Sequence, residues 1–136
     1  MSTGSPHDHE EPRRVLIADD DEGTRILLAE ALSNEAGVDL VASAKDADEA
    51  IALVDEVEPD VAIIDASMRA AADVVAVEEI RTRHPDLGLI ALTAMDPVIA
   101  SSALMSPGAV CFLQKSCSAE GLIAAIRMAT AGRAGS

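Results

Sequence analysis

Acidic residues directly follow two short apolar runs of this chain. Asp19 and Asp20 follow the first run and Asp65 ends the second, while Thr93 and Lys115 close two later runs in the same way. Short apolar runs that end in polar residues are typical of buried parallel strands, whose carboxyl ends form the ligand crevice of an open α/β sheet. We therefore expect these five side chains to meet there, in an arrangement that suits phosphorylation of a carboxylate.

Composition limits the classes of protein to consider. The chain has 136 residues, the size of one domain, and its hydrophobic fraction of 49% is carried mainly by Ala, Val, Ile and Leu. Its formal net charge of −14 argues against direct nucleic-acid binding, which depends on Lys and Arg displacing counterions. One Phe and no Trp or Tyr leave almost nothing to stack on bases.

The same sequence predicts a cytoplasmic protein without a membrane partner. No apolar stretch approaches the roughly 20 residues of a membrane helix, and the polar N-terminus lacks a signal-peptide core. Residues 1–12 are expected to form a disordered tail, because they carry too little apolar surface to order themselves. The folded domain is expected at 13–131, followed by a short tail or the start of a linker at 132–136.

Strands and helices are predicted to alternate along the domain. Apolar runs predict strands, helical periodicity predicts helices, and Gly37, Pro59, Pro85 and Gly108 mark boundaries. Asp46 and Ser118 are the expected N-caps of two helices. Five βα units imply a parallel sheet with helices on both faces. The predicted strands are 15–18, 38–43, 61–64, 87–92 and 109–113, and the predicted helices are 22–35, 46–57, 73–84, 97–105 and 118–131.

From residue 14 to residue 131 the pattern resembles the receiver domain of bacterial two-component response regulators. The resemblance rests on the acidic pair Asp19 and Asp20, on Asp65, on Thr93 in Ala-Leu-Thr-Ala and on Lys115 in Phe-Leu-Gln-Lys. It implies an α/β fold, a flavodoxin-like (βα)5 three-layer sandwich whose five-stranded parallel sheet has the order 2-1-3-4-5. The first and third strands would then be neighbours at the point where ligands bind.

The resemblance also implies a magnesium-dependent phosphoacceptor. Asp20 and Asp65 would bind Mg²⁺ directly, Asp19 through a water, and the main-chain carbonyl of Ser67 would complete the protein ligands, whereas Asp21 is read as solvated. Mg²⁺ would offset the repulsion among three clustered carboxylates. Asp65 would be the nucleophile that takes a phosphoryl group from a sensor histidine kinase, a phosphotransfer protein or a small phosphodonor.

Two further residues are implied as the switch. Thr93 would hydrogen-bond a phosphoryl oxygen, and Phe112 would occupy the place of the family's aromatic switch and report by packing alone. Lys115 would stabilise the transferred group and its product. The face of the last two helices would serve a homodimer or an effector. The protein would be a switch with only self-phosphorylation and self-dephosphorylation, not a metabolic enzyme.

Two positions depart from the family pattern. Arg69 and Asp73 stand where family members usually carry Pro and Gly, so the loop after Asp65 loses a rigid turn and a residue that accepts positive φ. An alternative is therefore a receiver-like interaction module that works without phosphorylation. Taken singly, each of Asp19, Asp20 and Asp21 could simply cap the following helix, and Lys115 could be an ordinary surface charge.

A hydrolase of the haloacid-dehalogenase type is a weaker alternative. Such enzymes also combine an Asp nucleophile, Mg²⁺ and Lys, but their Asp-x-Asp motif is missing, since Ala66 and Ser67 follow Asp65.

Overall fold

A five-stranded parallel sheet forms the centre of the protein. The structure, a computed structural model, describes residues 12–65, 78–93, 110–114 and 117–134. Its strands are β1 (Arg13–Ala18), β2 (Val38–Ala44), β3 (Val61–Asp65), β4 (Gly88–Thr93) and β5 (Val110–Gln114). They lie in the order β2-β1-β3-β4-β5, and every neighbouring pair is parallel. The predicted flavodoxin-like strand order is confirmed.

Helices pack on both faces of this sheet. The described helices are α1 (Glu22–Ser33), α2 (Ala47–Val57), a helical segment at 78–83, and a C-terminal helix (Ala119–Ala134). Successive residues of a strand point to opposite faces, so each strand contributes to two separate cores. None of the helices in the described ranges is long and apolar enough to span a membrane.

One core lies beneath α1 and the C-terminal helix. It combines Val15 and Ile17 of β1 with Leu32 of α1 and with Leu122 and Ile126 of the C-terminal helix, all 3% exposed or less. Burying a side chain of this size stabilises the fold by roughly 1.5–3 kcal/mol. These contacts join the first strand to the last helix of the domain.

The other core lies beneath α2 and the helical segment at 78–83. Leu16 and Ala18 of β1 point into it, where they meet Ala50 and Val54 of α2 and Ile80 of the helical segment. Layers on both faces leave β1 and β3 buried on each side, which explains why their sequences read as continuous apolar runs.

Strand ends differ from the predicted bounds by one or two residues. β1 begins at Arg13 instead of 15, because Arg13 and Arg14 pair with Val38 and Asp39 although their side chains are polar. β2 and β3 each gain one residue, and β4 and β5 are each shifted by one residue towards the C-terminus. Backbone pairing therefore extends beyond the apolar runs that predicted it.

The predicted N-caps of two helices agree with the structure, whereas the predicted C-terminal ends of α1 and of the C-terminal helix differ from it by two or three residues. Asp46 is the N-cap of α2, and Ser118 Oγ accepts a hydrogen bond from the Gly121 amide at 3.0 Å, as expected of an N-cap. α1 ends at Ser33 with Asn34 as its C-cap, two residues before the predicted end. The C-terminal helix continues three residues past the predicted end, to Ala134.

Several predicted features lie outside the described residues. These are residues 1–11 of the predicted tail, the first part of the helix predicted at 73–84, the whole helix predicted at 97–105, and residues 135–136. Of the 73–84 helix, residues 78–83 are helical, and His84 follows the last helical residue.

Candidate metal and phosphoacceptor site

Three carboxylates meet at the carboxyl edge of the sheet. Asp19 follows β1, Asp20 is the next residue, and Asp65 ends β3. Because Ala18 pairs with Ile64, the residues after them, Asp19 and Asp65, stand side by side. One carboxylate oxygen from each of the three aspartates lies within 4.8 Å of the others.

The three side chains differ in their contact with solvent. Asp19 is 0% exposed and Asp65 2%, whereas Asp20 is exposed. Burying charged carboxylates next to each other is costly unless polar or cationic partners compensate. The cluster therefore combines two groups held inside the protein with one that faces the solvent.

Backbone contacts fix the position of Asp19. Its amide donates to the Ala44 carbonyl of β2 at 3.0 Å, which continues the sheet one residue beyond β1. Its Oδ1 accepts a hydrogen bond from the Asp21 amide at 2.9 Å. One oxygen of this carboxylate therefore accepts a hydrogen bond from the turn that leads into α1.

Asp21 is exposed, as the sequence predicted, and it also caps α1. Its Oδ2 accepts hydrogen bonds from the Thr24 amide at 2.8 Å and from the Thr24 hydroxyl at 2.7 Å. A capping carboxylate also interacts favourably with the positive end of the helix dipole. Asp21 therefore anchors α1 directly beside the acidic cluster.

Sequence reasoning did not identify Arg25 as part of this region. Its Nη1 donates to the main-chain carbonyl of Asp19 at 2.6 Å, so a guanidinium from the first turns of α1 lies against the acidic loop. Placement six residues after Asp19 carries no specific signal in the sequence, because the contact depends on how α1 leaves the sheet.

The structure gives partial information on the other predicted site residues. Thr93 ends β4 and pairs with Gln114, the last residue of β5. The backbone of Phe112 lies in β5 opposite Ala91. Lys115 and Ser67 lie outside the described residues. The same is true of Arg69 and Asp73, the two positions that depart from the family pattern.

The cluster fits the oxygen chemistry of Mg²⁺. Mg²⁺ binds oxygen at about 2.0–2.1 Å in octahedral geometry, so two ligands on opposite sides of the ion are about 4.2 Å apart. The three carboxylate oxygens lie within 4.8 Å of one another, a spacing compatible with ligands of a single ion. Three acidic oxygens on two adjacent strands are therefore a suitable donor set for a divalent cation.

Comparison with known proteins gives a consistent picture. Residues 15–127 match the family model described as the response regulator receiver domain. The transcriptional regulatory protein PdtaR of Mycobacterium tuberculosis is 36% identical over 118 residues, which cover 87% of this chain and 57% of that protein. The response regulator GacA of Pseudomonas viridiflava is 27% identical over 120 residues, which cover 88% of this chain and 56% of that protein.

A solved structure supports the same architecture. A NarL signal receiver domain from Mycobacterium tuberculosis superposes with a TM-score of 0.81 at 26% identity, covering 90% of this chain and 99% of that one. In contrast, the chain spans only a little over half the length of the two curated relatives. Similarity to those relatives is therefore similarity to one part of each.

Proposed function

Because this chain belongs to the response regulator receiver domain family, we propose that it accepts a phosphoryl group on Asp65 in a Mg²⁺-dependent reaction and thereby switches a partner-binding face. The single observation that carries the proposal is the convergence of Asp19, Asp20 and Asp65, with oxygens within 4.8 Å. The phosphodonor would be a sensor histidine kinase or a phosphotransfer protein.

Asp65 is the best candidate for the nucleophile among the three carboxylates. Asp19 is held by the turn into α1, through the hydrogen bond from the Asp21 amide, and Asp20 is exposed to competing water. Asp65 ends β3, which lies between β1 and β4 in the sheet, and is 2% exposed. A buried carboxylate that ends a central strand is well held in position for attack.

The proposed reaction transfers one phosphoryl group. A carboxylate oxygen of Asp65 attacks phosphorus, an oxygen–phosphorus bond forms, and the phosphorus–nitrogen bond of the donor phosphohistidine breaks. The donor imidazole leaves with the electron pair of that bond and takes a proton. The product is a mixed anhydride of the aspartate carboxyl and phosphate.

Asp19, Asp20 and Asp65 would hold the Mg²⁺, with the Ser67 carbonyl as a further ligand. The ion would supply positive charge to a site where three carboxylates and a phosphoryl group otherwise repel one another. Lys115 would add a second positive charge, and Thr93 would donate a hydrogen bond to a phosphoryl oxygen. Contact with Thr93 would pull β4 inwards and pass the change to the neighbouring β5, where Phe112 would respond by packing.

Intact mass after incubation with acetyl phosphate tests the proposal. We expect a single phosphoryl adduct with Mg²⁺, none without the metal, and none in the Asp65→Asn variant. Asp21→Asn is the matched control, because Asn is an equally good N-cap and Asp21 lies next to the cluster without belonging to it. This variant should keep the adduct.

The alternative function is an interaction module that works without phosphorylation. The replacement of the usual Pro and Gly by Arg69 and Asp73 is the specific observation in its favour. A folded wild-type protein that gains no adduct with any phosphodonor would select this alternative. Restoring Pro and Gly at the two positions would then show whether this loop is the cause.

A further inference from the structure

A cavity of about 340 Å³ lies at the amino-terminal edge of the sheet. The starts of β1 and β2, the loop after α1 and the C-terminal helix form its walls, through Arg13, Glu35, Val38, Ile123, Ile126 and Arg127. The acidic cluster lies at the other edge, where β1 and β3 end. The cavity is therefore separate from the phosphoacceptor site, and an inference about it does not depend on phosphorylation.

The cavity has a volume within the range of small-molecule sites. Protein pockets for small ligands commonly measure about 300–1,000 Å³ and combine an apolar lining with a few polar groups. Here Ile123, which is 7% exposed, supplies apolar surface to the cavity, whereas Ile126 is fully buried and has no accessible surface of its own. Val38 packs against the core beneath the C-terminal helix and extends the apolar wall.

The guanidinium groups of Arg13 and Arg127 and the carboxylate of Glu35 line the cavity, which leaves one positive charge in excess. Arg13 Nε donates to Thr130 Oγ1 at 3.0 Å, and Thr130, which is 2% exposed, donates to the Ile126 carbonyl at 2.9 Å. This chain of hydrogen bonds holds the Arg13 side chain against the C-terminal helix. One of the two cationic groups is therefore fixed in place before any ligand arrives.

The second guanidinium has no protein partner in the described part of the chain. Neither Arg127 nor Glu35 makes a side-chain hydrogen bond or ion pair there, although both line the cavity. An unpaired arginine is noteworthy in a chain with 24 acidic and 10 basic residues, where acceptors are abundant. Its planar group offers two parallel N–H donors, which match a carboxylate.

We propose that this cavity binds a small organic monoanion, a carboxylate that carries one apolar ring or a short apolar chain. The carboxylate pairs with Arg127 in the field of Arg13, and the apolar part lies on Ile123 and Val38. Glu35 repels a second negative charge, so the site selects against polyanions. The ligand bridges the C-terminal helix and the beginning of the sheet.

An NMR titration of the 136-residue chain with phenylacetate tests this proposal. We expect saturable shifts of backbone amide signals at the cavity, at Gly37, Val38 and Arg127, with little change at the acidic cluster. Phenylacetamide has the same shape without the charge, and we expect it to bind at least about tenfold more weakly. Inorganic phosphate should also bind more weakly, since it lacks the apolar part and carries more charge.

Variants separate the specific site from general charge effects. Arg127 is exposed, so Arg127→Gln should fold normally and weaken phenylacetate binding at least about tenfold. Lys45→Gln removes one positive charge at an exposed position beyond the end of β2 and should leave binding unchanged. Glu35→Gln should retain phenylacetate and improve phosphate binding.

Three results would overturn the proposal. They are the absence of saturable shifts at the cavity, equal affinity for phenylacetamide, and unchanged affinity in a folded Arg127→Gln variant.

Discussion

Glu58 has a backbone conformation that its side chain disfavours. As the C-cap of α2 it has φ 49° and ψ 64°, the only positive φ of a non-glycine residue in the described ranges. This left-handed conformation costs an L-residue roughly 1–2 kcal/mol, whereas glycine adopts it freely. The carbonyl of Glu58 accepts a hydrogen bond from Arg14 Nη1 at 2.9 Å, so the turn also connects α2 to β1.

We expect Glu58→Gly to raise the free energy of unfolding by up to about 1 kcal/mol. Relief of the left-handed strain exceeds the extra unfolded-state entropy of glycine, which is about 0.4–1 kcal/mol. Urea denaturation measures the difference. Glu58→Ala is the control, since it removes the same side chain but retains the backbone strain. Equal stabilities of the two variants would show that backbone strain is not the cause.

Site residues illustrate what a sequence reveals at this scale. The convergence of Asp19 with Asp65 was predictable, because residues that end neighbouring parallel strands share an edge. A capping role was open to Asp19, Asp20 and Asp21 alike, and the structure gives it to Asp21, whereas the contact of Arg25 with the Asp19 carbonyl was not predicted. These depend on local turn geometry and on the direction of α1, which residue order alone does not determine.

At the scale of elements, the C-terminal helix packs closely on the sheet at Gly88. A Cβ added to this first residue of β4 would lie 2.9 Å from the carbonyl oxygen of Ala129 and 3.0 Å from its Cβ. The nearest atom belongs to helix backbone, so relief would require the helix to shift. Glycine is therefore needed here for the close approach of two backbones.

Gly88→Ala should lower the free energy of unfolding by about 1–3 kcal/mol, the usual cost of overpacking. Gly37→Ala is the matched control, because a Cβ there has no atom within 4 Å. That variant should be neutral or slightly stabilising, through a less flexible unfolded chain. Thermal and urea unfolding of both proteins provide the comparison, and an unaffected Gly88→Ala variant would contradict the close packing.

Charged contacts connect α2 to the end of the helical segment at 78–83. The Nε2 atom of His84 lies 2.7 Å from Asp55 Oδ1, and Arg83 pairs with the other oxygen of Asp55 and with Glu79. The hydrogen bond with His84, together with the positive charge of Arg83, lowers the pKa of the Asp55 carboxyl. All these groups are partly exposed, so solvent screens the interaction.

The lowered pKa of Asp55 predicts how the stability difference between the Asp55→Asn variant and the wild type depends on pH. Because the folded pKa of Asp55 lies below its unfolded value, the contact stabilises the protein above the unfolded pKa and is lost as pH falls through the folded pKa. The variant should be less stable than the wild type at neutral pH, and the difference should close in acid.

Urea unfolding of both proteins across the acidic range tests this expectation. Glu56→Gln, which removes a neighbouring exposed carboxylate without a described partner, should show no such pH-dependent difference. A difference between Asp55→Asn and the wild type that stayed constant with pH would assign the effect to packing instead.

Element types were predictable, while element ends and exposed faces were only partly so. β1 and β3 read as strands because both of their faces are buried. In α1, however, Ile26 and Leu27 are 53% and 67% exposed although they follow the helical pattern, and Leu32 supplies the buried contact. The sequence shows an apolar helix, but the direction from which the sheet meets it is a property of the tertiary structure.

At the scale of the whole molecule, negative charge predominates. The formal net charge is −14, so repulsion among the negative charges destabilises the folded state. Dissolved salt screens this repulsion. We therefore expect the melting temperature to rise with ionic strength. Mg²⁺ should raise it further than a monovalent salt at equal ionic strength, because binding to the folded state alone adds stability.

The Asp20→Asn variant separates stabilisation by specific Mg²⁺ binding from stabilisation by general charge screening. This exposed residue contributes one of the three clustered carboxylates, so its replacement should remove most of the extra stabilisation by Mg²⁺ and leave the general salt effect. Melting curves of wild type and variant in both salts give the answer. An equal Mg²⁺ effect in the two proteins would exclude this cluster as the binding site.

The contact between the first strand and the last helix has a consequence for synthesis. Val15 and Ile17 pack with Leu122 and Ile126, and Arg13 reaches Thr130, 117 residues later in the chain. On a ribosome β1 emerges early, but α1 covers only part of this surface, and the rest stays exposed until the C-terminal helix has been translated. Folding of the domain therefore finishes only after nearly all of it has left the exit tunnel, and until then the nascent chain presents an apolar strand that chaperones can bind.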